Sequence, residues 1–168
     1  MHERLILVDK NDNPITVGPR EVAWAKGYYT RNIRVVLKDE KGRFLAQKRS
    51  TKKSSYPGLW TVAASGHVDE GETWEIAAKR ETEEEIGISV EMKYIGGFNF
   101  EDDKGEQKIR QIIRVYEGII DSSTPIKIQK EEVEITEWYE NDNLKSLITT
   151  TPEIFTPGFL EIYERYYS

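Results

Sequence analysis

Glu81, Glu84 and Glu85 stand at i, i+3 and i+4 within the run Arg80-Glu81-Thr82-Glu83-Glu84-Glu85. Successive residues of an α-helix turn by about 100°, so this spacing gathers the three carboxylates on one face. With Trp74 at the origin, Ala77, Ala78, Glu81, Glu84 and Glu85 share a sector, while Glu75, Lys79 and Glu83 lie elsewhere. A run of glutamates is ordinarily a solvated surface. These three instead share the side of the small apolar residues, the side expected to meet the protein body. Like charges at this spacing repel one another, and a divalent cation among them removes the conflict. Oxygen ligands in a chain with no cysteine and only two histidines, His2 and His67, suit Mg²⁺, Mn²⁺ or Ca²⁺. Mg²⁺ keeps several waters and binds substrate phosphates. Such a cation can neutralise phosphate charge and acidify a bound water.

The elements that must hold these residues are legible around them. Thr73 suits a helix N-cap, Glu75 the positive helix start, and Gly87 the position past the end, so a helix is expected over Thr73 to Ile86. A glycine-punctuated loop, Gly66 to Gly71, leads into it. Upstream, Leu5–Val8 and Ile15–Val17 flank an Asn-Pro turn and read as an N-terminal hairpin within residues 1–30, residues 20–30 being ambiguous. Asn32–Leu37 and Phe44–Lys48 read as a hairpin, and Leu59–Ala64 as a short strand. Val90–Phe100 and Ile109–Ile119 are long strands joined by a turn at Glu101–Gly105, and Val133–Tyr139 is another strand. Asn143–Leu147 and Pro157–Tyr167 read as helices. The sum is one α+β domain with a mixed central sheet.

Composition narrows the function. The chain has 168 residues, enough for one core, and 18 aromatics among them argue against disorder. A net charge of −6 disfavours a nucleic-acid polymer as partner. Without cysteine there is no disulfide, zinc–thiolate site or thiol nucleophile. No apolar run is long enough to span a membrane, and no signal-peptide core is present, so a cytoplasmic protein is expected.

Counted from Gly66, the chain has five residues, Glu72, seven residues, then Arg80-Glu81-Thr82-Glu83-Glu84-Glu85-Ile86-Gly87-Ile88. This resembles the 23-residue Nudix box over residues 66–88, G-x5-E-x7-R-E-U-x-E-E-x-G-U with U aliphatic, and all seven fixed positions match. Thr82 departs from the usual aliphatic residue. The resemblance implies an α/β/α sandwich and a Mg²⁺-dependent hydrolase, Mn²⁺ also serving, that cleaves a diphosphate linkage in a nucleoside diphosphate derivative or related small diphosphate by water attack at phosphorus. It implies metal ligands at Glu81, Glu84, Glu85 and the Gly66 carbonyl. Glu84 or Glu85 becomes the favoured base, and Arg80 pairs with Glu72 to brace loop against helix. A base outside the box is the other option, with Glu101, Glu106, Glu131, Glu132 and Glu134 as candidates.

Weaker matches spread over much of the chain. Leu7-Val8-Asp9, Gln47-Lys48-Arg49, Tyr56-Pro57-Gly58-Leu59-Trp60-Thr61, Ser65-Gly66-His67, Glu131-Glu132-Val133 with Trp138, and Phe155-Thr156-Pro157 are similar to isopentenyl-diphosphate isomerase-like Nudix proteins. That isomerase carries an essential cysteine where this chain has Ser65, and uses more histidines for its metal. A serine hydroxyl is a poor acid for protonating an alkene, which favours hydrolysis over isomerisation. A ligand-binding module without catalysis is the third reading. The intact box argues against it. Lys48, Arg49, Lys52 and Lys53 are read as a diphosphate clamp, Trp60 as a stacking surface alongside Phe98, Phe100 and Trp138, and His67 as a loop residue near the metal. The N-terminal hairpin and the C-terminal helix are candidates for capping the domain or for a homodimer contact.

Overall fold

The computed structural model describes residues 3–168, and His2 lies outside them. Its organising element is β3 (Thr30–Lys38), where Ile33, Val35, Val36 and Leu37 are almost wholly buried. A strand apolar on both faces must lie inside a sheet covered on both sides. Accordingly β3 pairs in parallel with β8 (Gln107–Ile119) along its whole length, and β8 pairs antiparallel with β7 (Met92–Lys104). The other edge of β3 is shared. Leu37 and Lys38 pair with β4 (Phe44–Arg49), whereas Asn32–Val35 pair with β6 (Ala64–His67). β4 in turn carries β5 (Trp60–Thr61) and β9 (Val133–Tyr139). One parallel pair in an otherwise antiparallel sheet makes it mixed, as expected.

Two cores lie on opposite faces of this sheet. Ile33, Val35 and Leu37 pack with Ala77, Ala78 and Ile86 of α2 (Trp74–Ile86). Val36, Ile113 and Val115 pack with Leu144 of α3 (Asn141–Thr150) and with Phe159, Ile162 and Tyr163 of α4 (Pro157–Tyr166). The alternation of side chains along β3 distributes one strand between both cores. The result is an α/β/α sandwich. A third, small cluster of Leu5, Leu7 and Ala23 joins β1 (Leu5–Val8), β2 (Pro14–Gly18) and α1 (Arg20–Lys26). No helix among the described residues is long and apolar enough to cross a membrane.

Three expectations need correction. The ambiguous segment 20–30 holds α1, closed by Gly27 at φ 72°. The strand expected over Leu59–Ala64 breaks at Val62-Ala63, and its second half continues through Gly66 and His67, which belong to β6 rather than to a loop. The turn expected at Glu101–Gly105 is tighter. Glu101–Lys104 remain in the ladder because opposite charges face each other across it: Asp103 lies 2.7 Å from Arg110.

Candidate active site

Thr73 caps α2, its hydroxyl accepting from the Ile76 N–H at 3.2 Å, and Gly87 ends it in the left-handed conformation. The helix is thereby fixed in register against β6. Ala77, Ala78, Thr82, Glu85 and Ile86 are buried. Thr82 donates its hydroxyl to the Ala78 carbonyl at 2.7 Å, so its outer surface packs as an aliphatic residue would. Glu85 accepts from the Ser65 N–H at 2.7 Å and from Gln47 Nε2 at 3.3 Å.

Glu81 lies with only 16% of its side chain exposed, against β6 at Gly66. A Cβ built on Gly66 would meet the Glu81 carboxyl at 2.2 Å, so a side chain there would have to displace that carboxyl. Glu84 differs from the expectation of a common inward face, since 53% of its side chain is exposed. By helix rotation, Glu85 and Ala78 lie about 40–60° to one side of Glu81, toward buried Thr82 and Ile86, and Glu84 lies about 60° to the other side. It therefore stands at the rim of the cluster.

Burial and the neighbouring Glu85 push the Glu81 carboxyl up to about 8. Burial pushes Glu85 up to about 7, against the Ser65 and Gln47 hydrogen bonds. Two buried carboxylates without a full counter-charge are costly. Arg80 supplies part of it, with Nη1 at 2.8 Å from Glu81 and 3.2 Å from Glu84. Its Nε and Nη2 grip Glu72 at 2.6 and 2.9 Å, and Nη2 also donates to the His67 carbonyl at 3.0 Å. This bidentate pair clamps the 68–72 loop to the helix and holds the Glu72 carboxyl below its ordinary range. Among the described residues no three acidic or imidazole side chains already form a metal cage. The donor set nevertheless fits a hard cation: carboxylate oxygens of Glu81, Glu84 and Glu85 beside the bare backbone of Gly66.

Gly66, Arg80, Glu81 and Glu84 line one wall of a cavity of about 600 Å³, and Glu72 and Glu85 do not reach it. A NUDIX domain model matches residues 28–158 of the chain. The chain belongs to the Nudix family. Isopentenyl-diphosphate Delta-isomerase 2 of Photorhabdus laumondii is 33% identical over 163 residues, covering 96% of this chain and 91% of that protein. An uncharacterized Nudix hydrolase of Pseudomonas aeruginosa is 33% identical over 131 residues, covering 78% of this chain and 75% of that protein. A solved structure from Deinococcus radiodurans superposes with a TM-score of 0.81 at 24% identity, covering 99% of this chain and 100% of that one. The branch is thus the one that includes isopentenyl-diphosphate isomerases, with Ser65 and no cysteine in this member.

Beyond the Nudix box, the expected substrate-binding residues divide. Arg49, Lys53 and His67 line the cavity, while Lys48, Lys52 and Trp60 do not. Neighbours on a strand point to opposite faces. Lys48 consequently turns away from Arg49 and lies 3.6 Å from Glu134. In the same way Thr61 lines the cavity and Trp60 turns into the α4 core, edge-on to Tyr139 at 5.7 Å. Lys52 is exposed in the loop after β4. Of the aromatics, Phe100 reaches the cavity, whereas Phe98 and Trp138 are core residues. Of the outside glutamates, Glu132 lines the cavity, paired with Lys53, and Glu101, Glu106, Glu131 and Glu134 do not.

His67 is buried in β6 rather than in a loop, and burial together with Arg20 pushes its imidazole down to about 3. It is therefore neutral, 3.6 Å from Glu3. Arg20, Arg34, Tyr56 and Gln111 also line the cavity and were not anticipated. For Arg34 a signal existed: Asn32 and Arg34 alternate with apolar residues in the stretch Asn32–Leu37, whose other members are all apolar.

Proposed function

We propose that this protein is a Mg²⁺-dependent Nudix hydrolase that cleaves a diphosphate linkage in a small molecule by water attack at phosphorus. The observation that carries the reading is the Glu81 carboxyl laid on the bare backbone of Gly66, with Glu84 and Glu85 beside it, opening into a cavity that also holds Arg34, Arg49 and Lys53. Bound there by Glu81, Glu84, Glu85 and the Gly66 carbonyl, Mg²⁺ supplies charge neutralisation at the phosphate oxygens and acidifies water. The chain's own groups do the rest. Glu85 is committed to the Ser65 N–H and Gln47, which fixes it as a ligand. Glu84 is open to solvent, with only Arg80 beside it, and can accept the proton of the attacking water. Arg80 and Glu72 hold the 68–72 loop that follows Gly66 and His67 of β6. The basic side chains receive the diphosphate.

The second reading is isomerisation of a prenyl diphosphate, favoured by the isomerase relatives that span most of the chain. Against it stands the absence of any thiol, with Ser65 in the isomerase cysteine's place. The test is to incubate the protein with Mg²⁺ and a panel of nucleotide sugars, dinucleotides, nucleoside triphosphates and prenyl diphosphates. Metal-dependent release of phosphate or nucleotide is expected, with Glu84→Gln lowering kcat by about 10²- to 10⁴-fold. No release from any compound, or release unchanged in Glu84→Gln plus Glu85→Gln, refutes hydrolysis. Conversion of isopentenyl diphosphate to its isomer supports the second reading.

A further inference from the structure

Six basic side chains line the cavity: Arg4, Arg20, Arg34, Arg49, Lys53 and Arg80. Four are matched by carboxylates: Arg4 by Glu70, Arg20 by Glu3, Lys53 by Glu132, and Arg80 by Glu72 and its neighbours. Arg34 and Arg49 are the exceptions among the described residues. Arg34 donates to the Ile33 carbonyl at 3.0 Å and to Gln111 Oε1 at 2.8 Å. Arg49 donates to the Ser55 carbonyl at 3.1 and 2.8 Å. All these acceptors are neutral. Each guanidinium keeps further N–H groups for a ligand.

The two cations sit in one electrostatic neighbourhood. Burial pushes Arg34 down to about 10, and Arg49 adds to the shift. Glu85 acts on both charges from nearby, but neither guanidinium has a carboxylate in hydrogen-bond contact, and an anion from solution is the natural partner for the free N–H groups. The place is set by strand register: Arg34 pairs with Ser65, one residue along from the Ile33–Gly66 pair that carries the Glu81 cradle. An anion on Arg34 therefore adjoins the carboxylate cluster. Tyr56 lines the same end, near enough that both guanidiniums act on its hydroxyl, and is tied to Asp102 on β7.

We propose that Arg34 and Arg49 form a two-guanidinium seat for a terminal phosphate, so that the site takes diphosphates with one free phosphate end in preference to diphosphates capped at both ends. The proposal deepens the hydrolase reading of this same cavity. A terminal phosphate carries about −1.5 to −2 charge at pH 7 and three free oxygens. A capped internal phosphate carries one charge and two oxygens, and leaves one guanidinium fork without a phosphate oxygen. Two forked donors match the first case. Gln111 is a positioning residue, fixing one arm of the Arg34 fork.

The test is calorimetric binding in EDTA, where no hydrolysis occurs. Two uncleavable probes are compared: monomethyl methylenediphosphonate, with one free end, and P,P′-dimethyl methylenediphosphonate, capped at both. The wild-type protein is expected to bind the free-ended probe at least about tenfold more tightly, since one such factor corresponds to a single lost charged contact. Arg34→Gln should erase the preference, and Gln111→Leu should weaken it. Arg34→Lys, which keeps the charge and loses the fork, guards against a folding defect in the first variant and should retain only part of the preference. Equal affinity for the two probes, no binding of either, or a preference unchanged in Arg34→Gln and Arg34→Lys overturns the seat. Turnover assays separate the two claims. Preference without turnover on any diphosphate refutes the hydrolase reading and leaves the seat standing, and turnover without preference does the reverse.

Discussion

At the scale of single residues, the sharpest constraint is spatial. Gly66 has an ordinary extended backbone, so any residue is conformationally allowed there, yet its missing Cβ is the space the Glu81 carboxyl occupies at 2.2 Å. Gly66→Ala should keep the fold and displace Glu81. A displacement of about 1 Å at a catalytic group costs on the order of a hundredfold in rate. The expected result is a fall of that size in Mg²⁺-dependent kcat/KM with little change in Tm. A variant as active as wild type would show that Glu81 does not use this cradle. The spacing of the Nudix box announced Gly66, Glu72, Arg80, Glu81 and Glu85 because sequence-local geometry fixes a helix and the loop before it. Arg34 and Gln111 escaped because they meet each other, and reach the cavity, only through the pairing of β3 with β6 and β8, which no local pattern reports. Lys48 and Trp60 failed for a smaller reason. In a short strand beside a loop, one residue of phase decides which face a side chain takes.

At the scale of elements, α2 was legible from its caps and its periodicity, and its bounds Trp74–Ile86 match that reading. The loop between β4 and β5 was legible only as a loop, although it carries a tethered arm. Tyr56 sits at φ 49°, an uncommon conformation for a bulky residue, and costs of order 1–3 kcal/mol unless its surroundings hold it. They do so from the far hairpin: Asp102 accepts from the Tyr56 hydroxyl, and the Lys104 ammonium lies 4.4 Å over the ring. The same residues, Glu101–Lys104, were expected as a turn. Their place in the ladder is what aims Asp102 at Tyr56. Asp102→Ala should free the arm and leave the carboxylates of α2 untouched. One net hydrogen bond contributes about 0.5–1.5 kcal/mol, so KM should rise by roughly two- to tenfold with kcat nearly unchanged. A fall in kcat at constant KM would place Asp102 in the chemistry instead of the strap.

At the scale of the whole molecule, the N-terminal unit matters more than its position in the chain suggests. β1, β2 and α1 precede the matched range 28–158, yet Glu3 and Arg20 line the cavity, and Glu3 faces His67 at 3.6 Å. The unit was legible as a hairpin, but not as a wall of the site, since its contacts are all long-range. It buries His67 as a neutral ring, and this couples global stability to pH. An imidazole lowered from 6.5 to about 3 takes fewer protons folded than unfolded, so its contribution is complete above pH 6.5 and is lost as pH falls toward 3. Glu81 and Glu85 act in the opposite sense. Raised from 4.5 to about 8 and about 7, they hold protons in the folded state that the unfolded chain releases, so stability falls as pH rises from 4.5 toward 8. Two glutamates outweigh one histidine where the windows overlap, and lowered carboxylates such as Glu3 and Glu72 add to the acid side, so in EDTA the melting temperature should peak at roughly pH 5 and decline on both sides. Mg²⁺ binds the ionised carboxylates and competes with those protons, so saturating metal should flatten the alkaline decline and leave in place the acid limb, to which His67 and lowered carboxylates such as Glu3 and Glu72 contribute. His67→Gln should soften the acid limb alone. A metal-free melting temperature that climbs steadily from pH 5 to 8, or an alkaline decline unaffected by Mg²⁺, contradicts the assignment of Glu81 and Glu85 as buried ligands awaiting a cation.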